Sequence, residues 1–87
     1  MKVSRRAFFR HIHNGLSDAT FEDIVAIERA YEFAKQAHAG QTRASGEPYF
    51  EGHCVPVALH VLELGMDCTL ICAALLHDTV EDTDVTV

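Results

Sequence analysis

Ala73-Ala74-Leu75-Leu76-His77-Asp78-Thr79-Val80-Glu81-Asp82-Thr83 is the stretch on which the reading of this chain turns. An apolar run over 70–76 passes straight into four side chains able to bind a metal or a proton. On a helix, residues four apart share a face, so His77 lies over Glu81 and Asp78 over Asp82. Several carboxylates at the end of a buried segment are costly unless a cation sits among them, and a divalent metal is the simplest one. Imidazole with carboxylate suits Mn, Fe or Zn, whereas an all-oxygen set would suggest Mg or Ca. The plain alternative is a solvated helix end, since a His-Asp pair alone carries little information.

Upstream, Asp67 is placed to cap the helix that carries Leu70, Ile71, Ala74 and Leu75 inward and delivers His77 and Asp78. The preceding helix has Pro56 in its first turn and Gly65 as its C-terminal stop, with His53 just before it. His60 falls mid-helix and reads as an ordinary surface or core residue. Between 41 and 52 the periodicity breaks, and Gly46, Pro48 and Gly52 punctuate a loop. That loop offers Arg43, Ser45 and Tyr49: a planar cation, a hydroxyl and an aromatic ring, which suit a base or a phosphate. Thr20 with Asp23 forms a capping box, after which Ile24, Ile27, Tyr31, Ala34 and His38 recur at helical spacing until Gly40. His38 on that stripe reads as a hydrogen-bonded core histidine. Residues 4–14 form a first helix burying Phe8, Phe9 and Ile12, with Gly15 as its stop.

The class that emerges is all-α, four or five helices with short connections. At 87 residues the chain is one domain at most. It buries only about 60–65% of its unfolded surface, so stability is marginal without a metal or a partner. The net charge of −6 is uneven: Lys2, Arg5, Arg6 and Arg10 make the first residues basic and the remainder strongly acidic. An acidic body disfavours non-specific nucleic-acid binding. Ser4-Arg5-Arg6-Ala7-Phe8-Phe9-Arg10 resembles a twin-arginine export signal, but His11, His13, Asn14 and Asp18 replace the apolar segment such a signal needs. No run is long enough to span a membrane. Cys54, Cys68 and Cys72 lack disulfide-framework spacing and fit a reducing, cytoplasmic setting. Cys68 and Cys72, four apart, read as core thiols rather than ligands.

His38-Ala39-Gly40-Gln41-Thr42-Arg43-Ala44-Ser45-Gly46-Glu47-Pro48-Tyr49, then His53, then residues 75–83 resemble the hydrolase domain of RelA/SpoT homologues. These are HD-superfamily enzymes that remove the 3′-pyrophosphate from (p)ppGpp. The resemblance covers about residues 26–86, and 1–87 reads as the N-terminal part of a single HD hydrolase domain, truncated at its C-terminus. It implies an HD-domain-like helical bundle in which His53, His77 and Asp78 bind Mn²⁺. By the same resemblance Glu81 and Asp82 position or activate the attacking water, while Arg43 stacks on guanine and Ser45 contacts the base. The implied partner is a guanine nucleotide (ppGpp or pppGpp), with no nucleic acid or membrane involved. A fourth, downstream aspartate ligand has no counterpart before Val87, so weak or no activity is expected of these 87 residues alone. Self-association through an apolar face is a further expectation.

The chain departs from the family pattern at two places that bear on the site. Three residues, Phe50, Glu51 and Gly52, separate Tyr49 from His53 where the family usually has two, and Cys54 replaces the usual proline. Gly52 leaves two outcomes open: a bulge that keeps His53 in place, or a misplaced ligand. Ala44 also stands where many members carry lysine. Two rival readings remain: an HD phosphohydrolase acting on another nucleotide, against which the 43–49 loop argues, and a non-catalytic helical fragment or interaction module.

Overall fold

The computed structural model describes residues 3–77. Asp78, Glu81 and Asp82, and with them the expected His77/Glu81 and Asp78/Asp82 columns, lie outside the described residues. Within that range the chain forms four α-helices and no named strand: α1 (Arg5–Gly15), α2 (Phe21–Ala37), α3 (Val55–Glu63) and α4 (Cys68–Leu76). A single π turn, Phe50–Cys54, runs directly into α3. The described residues are thus all-α, as expected. None of their helices is long and apolar enough to cross a membrane.

Helix starts follow local chemistry. Ser4 Oγ accepts from the Ala7 N–H at 3.1 Å, and Asp67 Oδ1 accepts from the Leu70 N–H at 3.1 Å. The Thr20/Asp23 capping box is closed in both directions, at 3.0 and 3.1 Å. Each such cap satisfies an orphan amide and stabilises by about 1 kcal/mol. α3 ends with Gly65 N–H donating to the Leu62 carbonyl and Met66 N–H to that of Val61. This double closure needs a left-handed residue, and Gly65 supplies it at φ +79°.

α4 packs against both α2 and α3, and α1 lies on α3. The core they enclose comprises Phe8, Ile12, Ile27, Tyr31, Phe50, Val55, Ile71 and Leu75, each almost fully buried. Tyr31 is its hub, with ring centroids 5.1 Å from Phe8 and 4.9 Å from Phe50. Outside, Arg5 bonds Glu32 at 2.8 Å and Glu28 at 3.3 Å while stacking over Phe9.

Three expectations need correction. Gly15 does not terminate α1 by a left-handed turn; it is the last helical residue, and Leu16 caps. Its missing side chain makes room for Leu62, whose carbon atoms a Cβ would meet at 2.8–3.0 Å. Leu70 is 47% exposed rather than inward. Phe9 is only partly buried, at the edge of the core, while Ala30, which the stripe omitted, is buried on α2.

Candidate metal centre

Two histidines from separate elements converge. His77 sits one residue past α4 as its cap, still in helical backbone geometry. Its Nδ1 lies 2.6 Å from the Ala74 carbonyl oxygen. A carbonyl can only accept, so Nδ1 carries the proton, and in the neutral ring Nε2 holds the lone pair. That Nε2 is 3.4 Å from Nε2 of His53. The distance is long for a hydrogen bond, whose usual range is about 2.7–3.2 Å. Two imidazole nitrogens on one ion at about 2.1 Å each must lie within about 4.2 Å of one another, and this pair does. The second nitrogen of His77 is held by the backbone, as metal-bound imidazoles require. The two imidazoles are therefore close enough to share one divalent ion. Among the described residues no group of three His, Cys, Asp or Glu side chains is placed to hold one without help.

His53 is carried by the π turn. Val55 N–H donates to the Phe50 carbonyl, a bond spanning five residues in place of the α-helical four. Such a turn accommodates one more residue than an α turn. Phe50–Cys54 therefore absorbs Gly52 inside the helix, with the His53 ring facing His77 at a centroid distance of 5.4 Å. Behind His53 the Tyr49 ring lies 5.1 Å away, and His38 stacks on Tyr49 at 4.8 Å. His38 is 2% exposed, and its Nδ1 pairs with Gln41 Oε1 at 2.7 Å. Its Nε2 has no hydrogen-bond partner among the described residues. As the sequence implied, His38 is a core histidine; it reaches the site through Tyr49.

The 41–49 loop is a miniature hairpin. Thr42 and Pro48 bridge antiparallel, Arg43 N–H donates to the Glu47 carbonyl at 2.8 Å, and Gly46 N–H closes a turn onto Arg43. Gly46 takes φ +88°, which its position in the turn demands. Ser45 lies exposed at the tip. Arg43 folds back instead: Nη1 donates to the Gly52 carbonyl at 2.9 Å and lies 3.5 Å from a Glu47 carboxylate oxygen. The structure thus joins Arg43 to the turn bearing His53 and leaves Ser45 at the loop tip. Sequence reasoning misses Glu47 as a site residue and reads Gly52 only as a departure in spacing before His53. The signal for Glu47 was its opposite charge four positions after Arg43.

Cys54 follows His53 in the π turn, whereas Cys68 and Cys72 lie on α4 ahead of His77. Cys68 Sγ reaches the Asp23 carbonyl at 3.5 Å. Burial pushes both helix thiols up, Cys72 to about 11, so at neutral pH they stay protonated and bind metal poorly.

This helical bundle with its paired histidines belongs to the HD-domain family, whose profile, described as "HD domain", matches residues 30–87. Hydrolases of that family generally depend on divalent metal. Among its curated relatives is the guanosine-3′,5′-bis(diphosphate) 3′-pyrophosphohydrolase of Aquifex aeolicus, 62% identical over 60 residues, which are 69% of this chain and 8% of that protein. The bifunctional (p)ppGpp synthase/hydrolase RelA of Mycobacterium tuberculosis is 57% identical over 61 residues, 70% of this chain and 8% of that one. A protein of Vibrio cholerae with the same name as the Aquifex enzyme is 49% identical over 67 residues, 77% of this chain and 9% of that one. The chain spans less than a tenth of the length of each of these three.

Proposed function

We propose that this chain contributes to metal-dependent hydrolysis of the 3′-pyrophosphate of guanosine 3′,5′-bis(diphosphate), giving pyrophosphate and GDP, or GTP from the pentaphosphate. The observation that supports it is the 3.4 Å approach of His53 and His77 Nε2, with His77 Nδ1 tied to the Ala74 carbonyl. The choice of substrate is supported by the names of the three relatives. His53 and His77 hold the ion, Mn²⁺ in this reading, and Asp78 is the carboxylate that joins them. When bound, such an ion polarises phosphoryl oxygen and lowers the pKa of water toward about 7.

The rest falls to the chain's own side chains. Glu81 and Asp82 orient the attacking water and accept its proton. The Arg43 side chain is 45% exposed, so with Nη1 on Gly52 it still presents a planar face on which guanine can stack. Ser45, at the loop tip, contacts the base. The setting is the cytoplasm, where the Cys68 and Cys72 thiols stay reduced.

The test is Mn²⁺ binding by titration calorimetry and Mn²⁺-dependent pyrophosphate release from ppGpp, with His77→Ala alongside. The variant is expected to bind Mn²⁺ about 100-fold more weakly, since the loss of a direct ligand matches or exceeds the 10–100-fold loss of an outer contact. Binding or turnover that survives His77→Ala overturns the assignment.

A further inference from the structure

We infer that Arg43 is a positioning residue for His53, acting through the Gly52 carbonyl as a latch on the π turn. The sequence creates the need for one. In an α-helix the Gly52 carbonyl would accept from the N–H of residue 56, but that residue is Pro56 and has no N–H. The turn also begins without a side-chain cap at Tyr49. Arg43 Nη1 supplies a donor to that carbonyl at 2.9 Å, reaching it from the neighbouring hairpin.

Two further features serve the same contact. Glu47 lies 3.5 Å from the guanidinium and is drawn toward it by the backbone bond between residues 43 and 47. Gly52 leaves room for the approach: a Cβ there would meet the Glu47 carboxylate at 2.9 Å and Arg43 Cδ at 3.1 Å. Gly52 is the residue directly before His53, so the latch fixes the backbone from which the His53 ring meets His77. A hydrogen bond from a charged donor to a carbonyl is stronger than a neutral one, and this one takes the place of the i+4 bond that Pro56 cannot give.

The consequence for the metal rests on the metal-centre reading above; the latch itself does not. The experiment therefore reads both, in the full 87-residue chain, with Arg43→Ala, Arg43→Lys and the pair Arg43→Ala/Pro56→Ala. In metal-free protein, amide exchange over residues 50–57 and the nuclear Overhauser contact between the His53 and His77 rings report the turn. Mn²⁺ titration then reports the site. Arg43→Ala is expected to exchange about tenfold faster at these amides, lose the ring contact and bind Mn²⁺ about tenfold more weakly, with unchanged far-UV circular dichroism. Arg43→Lys recovers part of this. Pro56→Ala restores an N–H to the Gly52 carbonyl and recovers more, which a purely substrate-binding arginine would not show. If Arg43→Ala keeps parental exchange and parental Mn²⁺ affinity and loses only nucleotide binding, the latch is wrong. Faster exchange with undiminished Mn²⁺ affinity also overturns the positioning role. If the parent binds no Mn²⁺, the metal reading fails, and exchange with the ring contact still decides the latch. Should Arg43→Ala not fold, the Arg43→Lys and Arg43→Ala/Pro56→Ala variants decide the latch by the same readouts.

Discussion

His77 stands at the end of α4, a regular helix with an Asp67 cap at its start and Ile71 and Leu75 fully buried along its length. His53 stands in a π turn that has no side-chain cap and meets a proline in the next turn. One imidazole is placed by a rule-abiding helix, the other by a departure from the rules held from the side by Arg43. Irregular backbone allows the aim of one side chain to be set independently of the helix that follows, and π turns recur at functional sites for that reason. The cost is that such a turn needs neighbours, whereas a capped helix is locally self-sufficient.

Truncating a buried anchor on each side breaks the comparison hardest. Phe50 is 2% exposed and meets Tyr31 edge-on; it is the only π-turn residue in the ring cluster around Tyr31. Phe50→Ala is expected to cost about 3–5 kcal/mol and Ile71→Ala about 2–5 kcal/mol. Native domains are stable by only about 5–15 kcal/mol. Either change should therefore leave the chain much closer to unfolding in urea melts. If Phe50→Ala costs under about 1 kcal/mol, the π turn is not anchored in the core.

Gly52→Ala comes next. The new methyl would meet the Glu47 carboxylate at 2.9 Å, and the turn must shift or the latch must open. Overpacking of this kind costs about 1–3 kcal/mol. Mn²⁺ affinity is expected to fall with stability, and Glu47→Ala in the same chain should restore part of both, because it removes the nearest atoms. A Gly52→Ala chain with parental stability and metal affinity would show that the turn has slack.

The two ends also differ in how far they could be read beforehand. Thr20, Asp23, Asp67 and Gly65 announce themselves because a cap depends on residues two to four positions away. The periodicity omits Ala30 and places Leu70 inward because helical period gives the direction of a buried stripe and not its width, which neighbouring helices decide. Gly15 looked like a stop, and only the approach of Leu62 from α3 reveals its use. The π turn was less legible still. It depends on a donor missing at Pro56 and on a guanidinium nine residues before Gly52, and no single period links the two. The His53/His77 pairing came from resemblance of motifs, since no spacing rule connects residues 24 apart. The acidic members Asp78, Glu81 and Asp82 lie outside the described residues and remain part of the proposal.

The smallest expected effect is the most discriminating. Asp67→Ala removes the carboxylate that accepts from Leu70 N–H, and a lost cap of this kind costs about 1 kcal/mol. The loss falls on the first turn of α4, whereas His77 is placed at the other end by Ile71, Ala74 and Leu75 packing and by its bond to the Ala74 carbonyl. If α4 is self-sufficient, as argued, Asp67→Ala should lower the melting temperature by several degrees and leave Mn²⁺ affinity within about twofold. Asp67→Asn, which keeps an accepting oxygen, should recover most of the stability. A tenfold drop in Mn²⁺ affinity from Asp67→Ala would mean that α4 transmits disturbance from its first turn to its last. His77 would then be as dependent on remote support as His53, and the distinction between the two ends would be lost.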